Sequence, residues 1–300
     1  MKIIKVLGFC LFAFSVPVFS SGQEQVVVIT GASSGIGKAL AEKFAKESGH
    51  KVYGTTRNHK LTGLTPEGYI LIQMDPGNTQ SVGTAIEQVS RTEKSIDLLI
   101  NNAGFMVLGS VESIDPDDQL LDMFNVNVVG YARTTRAVVP FMRSGGGGRI
   151  INITSTQAFE PRALQESYSA TRSAVEIMSL GQASYLKEYN IDVLVYEPGA
   201  TRTNIMKSTQ SGRHDIPGDK TQSYMPQFID ILDKRLARGM LASEVSEDIF
   251  DLSKNKMADF RTQASIKGVR RAEFVYKDAT GNSLLALLKK QFDQFVAPFR

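Results

Sequence analysis

One junction constrains the fold of this chain more than any other stretch. The apolar run V-V-V-I at 26–29 leads directly into the glycine-rich sequence T-G-A-S-S-G-I-G at 30–37. The run predicts a buried strand, and Ile36, Leu40 and Phe44 recur at the spacing of an amphipathic helix. A strand, a glycine turn and a helix in this order are typical of a phosphate-binding turn.

The glycines of this turn have separate physical tasks. Gly31 lets the backbone turn tightly away from the strand, and Gly35 and Gly37 remove side chains where a pyrophosphate and a packed helix must come close. The unpaired N–H groups at the start of the helix point towards that phosphate. The sequence therefore predicts a dinucleotide site formed by Gly31, Ser33, Ser34, Gly35, Ile36 and Gly37.

Apolar strands alternate with helical patterns through the first two thirds of the chain. The predicted strands are 25–30, 51–56, 69–74, 96–101, 149–154 and 191–197. The predicted helices lie near 37–48, 79–93, 116–143 and 166–188. The strands are continuously apolar, as in parallel sheets that are covered on both faces. The pattern predicts an α/β fold: a single doubly wound, Rossmann-like parallel sheet with helices on both faces.

The pattern loosens beyond residue 198. Residues 201–240 contain scattered apolar residues and are predicted to be irregular. A helix near 242–255, a short strand near 259–263 and a C-terminal helix near 282–296 are predicted to follow. No linker, charge block or low-complexity tract divides the chain, so we expect one domain over residues 23–300.

Composition excludes several kinds of site. The one cysteine, Cys10, lies near the amino terminus, which excludes disulfides, cysteine catalysis and thiolate metal sites from the rest of the chain. The three histidines show no ligand spacing, and we expect no metal. A net charge of +3 on 300 residues gives no support for a nucleic-acid partner.

Residues 1–22 have the pattern of a targeting segment. Lys2 and Lys5 precede an apolar stretch at 6–19, and the small residues S-S-G follow at 20–22. This pattern predicts a secretory signal peptide, because the stretch is shorter than the roughly 20 residues of a transmembrane helix. An uncleaved membrane anchor is the alternative. Either would place the body of the protein in the periplasm or a lumen, whereas a leader that only looks like a signal would leave it cytoplasmic.

Polar residues follow the predicted strands at the edge where a doubly wound sheet binds its ligands. N-N-A-G at 101–104 ends the fourth strand, and Ser155 ends the fifth. Tyr168 opens a helix thirteen residues after Ser155, and P-G at 198–199 follows the sixth strand. Asn127 lies within the helix predicted near 116–143. We therefore expect these residues to share one site.

The residue types suit the interconversion of an alcohol and a carbonyl. Reduction by hydride transfer requires a proton donor for the developing alkoxide, and the reverse reaction requires a base. A phenol serves both purposes when a fixed cation nearby stabilises its phenolate. Tyr168 is therefore the candidate acid and base, and Ser155 is the candidate hydrogen-bond donor to the substrate oxygen.

Taken in order, these motifs resemble those of the short-chain dehydrogenase/reductase family from residue 25 to about residue 205. The resemblance implies an alcohol or carbonyl oxidoreductase that uses a nicotinamide dinucleotide. It assigns catalysis to Asn127, Ser155, Tyr168 and the residue at position 172, with Asn127 holding a water that links the site to solvent. The further cofactor contacts that it implies are Asn102, Ala103, Gly104, Tyr168, Arg172, Pro198, Gly199 and Thr203.

The chain departs from the Y-x-x-x-K pattern of that family, because it reads Y-S-A-T-R over 168–172. In the family, the lysine bonds the nicotinamide ribose, supplies the cation and feeds a proton relay. Arg172 keeps the charge, but it is planar, longer and unable to release a proton. Two functions therefore remain open: an enzyme with an altered relay, and a catalytically weak NADP(H)-binding sensor or scaffold.

The end of the second predicted strand bears on the choice of cofactor. An NAD-type site has a carboxylate there to accept from the ribose 2′-OH. Thr56 occupies that place and Arg57 follows it, which favours the 2′-phosphate of NADP(H) over NAD. A solvated surface arginine is the alternative interpretation of Arg57. By resemblance to the family, Asp75 contacts the adenine.

The carboxyl-terminal part resembles the 17β-hydroxysteroid and retinol dehydrogenase branch of the family, through V-Y-G-T-T-R-N at 52–58 and motifs at 243–250, 260–263 and 277–292. The implied substrate is a lipophilic alcohol or carbonyl beneath a lid at 201–240. Residues 241–300 then form a C-terminal extension. Its last helix has an apolar face for the core or for the interface of a homodimer or homotetramer, with membrane contact as the alternative. The residues of this face are Leu284, Leu285, Leu287, Leu288, Phe292, Phe295 and Phe299.

Overall fold

The computed structural model describes residues 24–277, 280 and 282–297, and within them the chain is built around a twisted sheet. The strands, in chain order, are β1 (Gln25–Ile29), β2 (His50–Thr56), β3 (Gly63–Leu64), β4 (Ile70–Gln73), β5 (Leu98–Asn101), β6 (Val107–Leu108), β7 (Gly148–Ile153), β8 (Ile191–Glu197), β9 (Thr201–Arg202), β10 (Gln210–Ser211), β11 (Met240–Leu241) and β12 (Arg261–Gln263). The predicted leader, residues 1–22, lies outside the described residues.

The helices cover both faces of this sheet. In chain order they are α1 (Gly35–Lys46), α2 (Thr79–Ser90), α3 (Leu121–Phe124), α4 (Gly130–Ser144), α5 (Glu166–Leu186), α6 (Ile205–Ser208), α7 (Lys220–Ala237), α8 (Ala242–Lys254), α9 (Ile266–Lys277) and α10 (Asn282–Val296). None of those in the described ranges has the length and apolar character needed to cross a membrane.

The order of the main sheet is β12-β8-β7-β5-β1-β2-β4-β3, and every pairing is parallel except that of β3 with β4. The chain winds outward from β1 in one direction through β2 and in the other through β5. A crevice therefore opens between β1 and β5 at their carboxyl ends, which is where doubly wound sheets bind ligands. The predicted α/β fold and its parallel sheet are confirmed.

Two apolar clusters, one on each face of the sheet, hold the layers together. Alternate residues of β1 contribute to both, because successive side chains point to opposite faces. On one face, Leu40 and Phe44 of α1 are fully buried, and Phe44 packs edge-on against Phe250 of α8 at 4.9 Å between ring centroids. The apolar residues whose spacing predicted α1 therefore lie on the side of the helix that meets the sheet.

The helix predicted near 116–143 is continuous but not uniformly α-helical. Two π-helical turns, Pro116–Leu120 and Asn125–Val129, flank α3, and α4 continues to Ser144. A π turn inserts an extra residue and rotates the side chains that follow it, and such turns are frequent at functional sites. Asn127 lies within the second of them.

The prediction of an irregular segment over 201–240 is wrong. The segment contains α7, whose apolar residues fall on one face that packs above the carboxyl ends of the strands: Met225, Phe228, Ile229, Leu232 and Leu236. Asp219 caps the helix by accepting from the backbone N–H of Thr221 at 2.8 Å. Pro226 inside the helix obscured this periodicity in the sequence.

Helix α9 was not predicted, because its sequence is polar overall. Only Gly268 and Ala272 of it are buried, and the helix is held by long-range contacts. Arg271 forms an ion pair with Glu160, and the ring of Tyr276 lies 6.0 Å from that of Phe159.

Helix α10 was predicted with the correct bounds, and one of its apolar residues packs within the protomer. Phe292 lies 6.5 Å from the ring of Tyr224 and contacts the cluster that includes Leu164. Phe299 and the side chains of Leu284, Leu285, Leu288 and Phe295 lie outside what the structure describes.

Candidate active site

The glycine turn after β1 has the geometry that its sequence predicts. Gly31 and Gly35 have φ values of +69° and +58°, in the left-handed region that favours glycine. A Cβ at Gly37 would collide with the carbonyl oxygen of Gly31 and lie 2.5 Å from Nδ2 of Asn102. The helix can therefore start this close to the turn only because Gly37 has no side chain.

Asn102 and Thr30 connect this turn to the end of β5. The Asn102 side chain donates to the carbonyl oxygens of Thr30 at 2.9 Å and Gly31 at 3.3 Å. Thr30 Oγ1 in turn accepts from the backbone N–H groups of Asn102 and Ala103 at 2.8 and 2.9 Å. These bonds hold the two sides of the crevice in one arrangement.

A cavity of about 320 Å³ occupies this crevice and continues beneath α7. Most of the residues that the sequence assigns to the site line it: Gly31, Ser33, Ser34, Gly35, Ile36, Arg57, Asn102, Ala103, Gly104, Ser155, Tyr168, Arg172, Pro198, Gly199 and Thr203. The structure therefore brings together residues that are spread over more than half of the chain.

Three of the assigned residues do not line the cavity directly. Gly37 lies behind the turn, as described above. Asp75 is turned towards its own loop, where its carboxylate accepts from the N–H of Gly77 at 2.9 Å, although its neighbours Met74 and Pro76 line the cavity. Asn127 is fully buried, one layer behind the cavity wall.

Asn127 holds the wall in place through three hydrogen bonds. Its Oδ1 accepts from the backbone N–H of Phe105 at 3.0 Å, and its Nδ2 donates to the carbonyl of Phe105 at 2.9 Å. The same Nδ2 donates to Oγ1 of Thr171 at 3.2 Å, next to Arg172 in α5. The residue thus links the loop after β5 to the helix that carries the candidate catalytic pair.

Ser155 and Tyr168 are both buried at the cavity wall. Ser155 lies two residues after the end of β7, and its Oγ accepts from the N–H of Gln157 at 3.1 Å. An acceptor role towards Gln157 leaves the hydroxyl hydrogen of Ser155 free to donate to a ligand. Tyr168 lies in the first turn of α5 and packs in the apolar cluster that α7 covers.

The guanidinium of Arg172 lies over the ring of Tyr168, with Cζ 4.8 Å from the ring centroid. Arg172 is one helical turn beyond Tyr168 on α5, so the two side chains share a face. Its Nη1 donates to Oη of Tyr131 at 3.3 Å and to the carbonyl oxygen of Ile153 at 3.4 Å. A Cβ at Gly104 would collide with its Nη2, so Gly104 provides the space for the larger cation.

Burial lowers the pKa of Arg172, but its attraction to the phenol groups of Tyr168 and Tyr131 outweighs burial and raises the pKa above the usual value. The side chain therefore stays charged at every accessible pH. Its Nε is buried and has no hydrogen-bond partner within the described residues. The site thus holds a permanent cation.

Tyr131 is a site residue that sequence reasoning missed. It lies four residues after Asn127, is almost completely buried, and donates to the carbonyl oxygen of Ile153 at 3.0 Å. Burial raises its pKa, so its phenol remains neutral and accepts from Arg172. The one signal in the sequence was a polar aromatic residue on the same helix as Asn127.

Two carboxylates lie directly behind this site and were also missed. Glu176 follows Arg172 by one turn of α5 and accepts from Thr154 Oγ1 at 3.1 Å, and Glu197 ends β8. Arg261 of β12 approaches both, at 3.3 Å from Glu176 and 3.9 Å from Glu197. Burial and the neighbouring Glu176 raise the pKa of Glu197 to about 8, against the opposing effects of Gln263 and Arg261.

The comparison with known proteins agrees with this geometry. The family model described as short chain dehydrogenase matches residues 25–214. The chain belongs to the short-chain dehydrogenase family. It is therefore a nicotinamide-dependent oxidoreductase, as the arrangement of Ser155, Tyr168 and the glycine turn indicates.

Several relatives within and around this family are similar over most of the chain. A 3-ketodihydrosphingosine reductase of Bacteroides thetaiotaomicron is 32% identical over 244 residues, which cover 80% of this chain and 88% of the relative. The 17-beta-hydroxysteroid dehydrogenase type 1 of Homo sapiens is 31% identical over 203 residues, or 64% of this chain and 61% of the relative. The crystal structure of a short-chain dehydrogenase from Streptomyces avermitilis superimposes with a TM-score of 0.74 and 27% identity, covering 93% of this chain and 98% of that one.

The residues present fit the nicotinamide dinucleotide of this family. The left-handed turn at Gly31 and Gly35 opens the start of α1 to a pyrophosphate, and Arg57 lines the same cavity at the end of β2. Arg172 lines this cavity as well and places its charge there. When bound, the dinucleotide would supply or accept the hydride. The described residues contain no cluster of three or more possible metal ligands.

Proposed function

We propose that this protein is an NADP(H)-dependent oxidoreductase that interconverts a lipophilic secondary alcohol and its ketone, or a primary alcohol and its aldehyde, with Tyr168 as acid and base. The observation that carries the proposal is the convergence of Ser155, Tyr168 and a buried cation on one cavity. The test is consumption of NADPH with a panel of lipophilic ketones and aldehydes. Tight binding of NADPH without turnover of any of them would contradict the proposal.

The side chains define the protein's part in the reaction. In the reductive direction Ser155 donates a hydrogen bond to the carbonyl oxygen and stabilises the negative charge that develops there. Tyr168 gives its proton to that oxygen as the alkoxide forms. The permanent charge of Arg172 then stabilises the phenolate that remains. In the oxidative direction the same phenolate removes the proton of the alcohol.

Apolar residues near Tyr168 support a lipophilic substrate. Phe105 and Met106 of the loop after β5 and Leu232 and Leu236 of α7 line the cavity around it. They also exclude water, which strengthens the electrostatic interactions on which the proton transfer depends. The two relatives described above are named for a ketosphingoid and a steroid, which are lipophilic molecules as well.

For the cofactor, Arg57→Ala is expected to weaken NADPH binding by about ten- to a hundredfold, because one charge-assisted contact to the 2′-phosphate is lost. The affinity for NADH, which has no such phosphate, should change little. Both affinities are measured by fluorescence titration. Arg91→Ala, at an exposed arginine outside the cavity, is the matched control. Equal affinities of the unmutated protein for NADPH and NADH would show that Arg57 does not select the cofactor.

A catalytically weak NADP(H)-binding sensor or scaffold is the second candidate function. It is favoured by the hydrogen bonds of Arg172, which go to Tyr131 and to the backbone of β7. A cation held in this way could stabilise a bound dinucleotide without relaying protons. The substitutions at position 172 that open the Discussion distinguish the two functions.

For location, we propose that residues 1–22 direct the body of the protein into the periplasm or a lumen, as a cleaved signal or as a membrane anchor. Free NADP(H) is chiefly cytosolic, so an exported enzyme would need a supplied pool or a redox partner. Protease protection in intact cells combined with amino-terminal sequencing tests the proposal. We expect protection and a chain that begins near residue 23 if the signal is cleaved. A full-length chain in the soluble cytosol would overturn it.

We also propose that the protein assembles as a homodimer or homotetramer. Large apolar residues are exposed along two adjacent helical segments, the helix from 116 to 144 and α5: Leu121, Val129, Ile177 and Leu180. Burial of such a face between copies would stabilise an assembly. Light scattering coupled to gel filtration gives the mass, and a monomer at micromolar concentration would contradict the proposal.

A further inference from the structure

The cavity carries an excess of positive charge that the proposed reaction does not use. Among the described residues that line it, every charged one is an arginine and none is an aspartate or glutamate. Arg57 and Arg172 serve the cofactor and the phenol in the mechanism above. Arg162 and Arg235 lie in the same cavity and have no such role.

These two arginines come from the elements that enclose the substrate side. Arg162 lies in the loop between Ser155 and Tyr168, and Arg235 lies on α7 beside Leu232 and Leu236, which pack over Tyr168 and its cluster. Burial, with a smaller contribution from the charge of Arg235, lowers the pKa of Arg162 to about 10. The half-buried Arg162 and the exposed Arg235 thus bring two positive charges to the same cavity.

No carboxylate compensates the pair among the residues that the structure describes. Neither arginine takes part in an ion pair there. Of the two acidic residues nearest in sequence to Arg162, Glu160 forms its ion pair with Arg271 of α9. Burial raises the pKa of Glu166, which is the opposite of what a contact with a guanidinium would do.

The loop that carries Arg162 is held in a fixed conformation. Leu164 has a φ of +62°, which is unusual for a residue with a branched side chain, and its carbonyl oxygen accepts from the N–H of Gly109 at 3.1 Å. Gln165 accepts from Gln157 at 2.7 Å at the other end of the loop. Backbone strain of this kind persists where the surrounding structure holds it and is frequent at ligand sites.

Two positive charges that line one cavity without a compensating carboxylate repel each other, and an anion bound between them relieves that repulsion. We propose that Arg162 and Arg235 form an anion subsite, so that the substrate is an amphipathic carbonyl or alcohol with an apolar body and a carboxylate or phosphate group. Arginine suits both groups because its planar fork of donors matches their oxygen atoms. This inference rests on the proposed function for the reaction at the carbonyl or alcohol group of the substrate. The binding of the anionic group does not depend on that function.

Binding is tested first, with probes that cannot react. Octanoate, octyl phosphate and octanamide share an apolar chain and differ in the charge of the head group. Their affinities are measured by calorimetry on the Tyr168→Phe protein with NADP(H) present. We expect at least one anion to bind about tenfold more tightly than octanamide or better, since charge-assisted contacts are lost with the amide. Comparison of octanoate with octyl phosphate then shows which anion the subsite takes.

Variants of the two arginines assign the effect to the subsite. Arg162→Gln and Arg235→Gln should each reduce the ratio of anion to amide affinity, and the double variant should bring it close to one. Arg238→Gln, at an exposed arginine just beyond the end of α7 and outside the cavity, should keep the ratio of the parent. Equal affinities for the three probes, or an anion preference that survives in the double variant, would overturn the proposal. Loss of NADPH affinity in place of anion affinity would assign these arginines to the cofactor and would also overturn it.

Turnover provides the second readout and separates the two proposals. The probes are oxo-acids with a methyl ketone at increasing distance from the carboxylate, from 4-oxopentanoate to 9-oxodecanoate, each compared with its amide. We expect kcat/KM to favour the acid by about tenfold at the length that spans the cavity. Reduction of acid and amide at equal rates would leave the oxidoreductase standing and reject the subsite. Tight anion binding without reduction of any probe would support the subsite and contradict the proposed oxidoreductase.

Discussion

Arg172→Met is expected to lower kcat by at least about a hundredfold and to weaken NADPH binding. The methionine fills most of the space of the arginine, but it removes the positive charge that lies 4.8 Å from the ring of Tyr168. Loss of one preorganised electrostatic partner of a developing charge costs about a hundred- to a thousandfold in rate. Steady-state kinetics with the best ketone of the panel and fluorescence titration of NADPH measure the two effects.

Arg172→Lys is expected to raise kcat with little change in NADPH affinity. Lysine keeps the charge, and unlike arginine it can release and regain a proton, so any step that passes a proton through this side chain becomes faster.

Tyr168→Phe should abolish turnover while leaving cofactor affinity unchanged, because it removes the acid and base alone. The two variants thus separate the proton transfer from the binding of the cofactor.

Tyr131 provides a test of how Arg172 is held. Tyr131→Phe removes the phenol oxygen that accepts from Nη1 at 3.3 Å and should lower kcat by a few-fold. If Tyr131 acts through the guanidinium, Tyr131→Phe will change kcat by a different factor in the Arg172→Lys background than in the parent. The double-mutant cycle will then not be additive.

The matched control is Arg149→Met, at an arginine that bonds Asp192 and the end of α8 outside the cavity. It should keep the parent's turnover per folded molecule, with folding followed by circular dichroism. A ketone reduced by Arg172→Met as fast as by the parent would show that the cation has no catalytic role. If neither the parent nor Arg172→Lys turned over any ketone or alcohol while both bound NADPH, the sensor or scaffold would become the better account of the protein.

The parts of the fold that the sequence predicted are those in which local pattern and tertiary role agree. The strands of the parallel sheet are apolar on both faces, so β1 or β8 is visible as a run of apolar residues. The glycine turn could be recognised in the sequence because the left-handed φ at Gly31 and the close approach at Gly37 require glycine at both positions. The order of Ser155 and Tyr168 could likewise be predicted, since each closes or opens an element at the same edge of the sheet.

The parts that the sequence did not predict depend on contacts between distant segments. The apolar stripe of α7 was obscured by Pro226, and its role as a cover became visible only from its packing above Tyr168. The role of Tyr131 depends on a guanidinium 41 residues further along the chain. Arg162 and Arg235 carry no motif, and only the folded chain shows that they line one cavity whose described residues include no carboxylate.

The buried carboxylates Glu176 and Glu197 are a further example, since neither belongs to a motif and they lie 21 residues apart in sequence. Both are almost completely excluded from solvent, and Oε1 of Glu197 has no hydrogen-bond partner within the described residues. Gln263 donates to the other oxygen of Glu197 at 2.5 Å. One guanidinium, that of Arg261, faces two carboxyl groups, so the site is best satisfied when one of them keeps its proton.

The free energy of unfolding should therefore fall as the pH rises from about 5 to above 8. The pKa of Glu197 is about 8 in the folded protein, whereas an unfolded glutamate has a pKa of about 4.3. Between these values the folded state binds one more proton than the unfolded state, so the extra stability is complete below the lower value and is lost as the pH passes the upper one. Because the two pKa values differ by several units, the loss is on the order of a few kcal/mol. Chemical denaturation at a series of pH values measures it.

Glu197→Gln should remove this pH dependence and make the protein more stable than the parent above pH 8. The glutamine side chain keeps nearly the same volume, cannot ionise, and its amide can donate to the carboxylate of Glu176. Asp192→Asn provides a control of opposite sign. Although burial favours its protonated form, Lys187 and Arg149 hold the pKa of Asp192 below the usual value, so its neutralisation should cost stability near pH 8. A parent that is equally stable at pH 5.5 and pH 8.5, or a Glu197→Gln variant with the parent's pH profile, would show that the two glutamates do not share a proton.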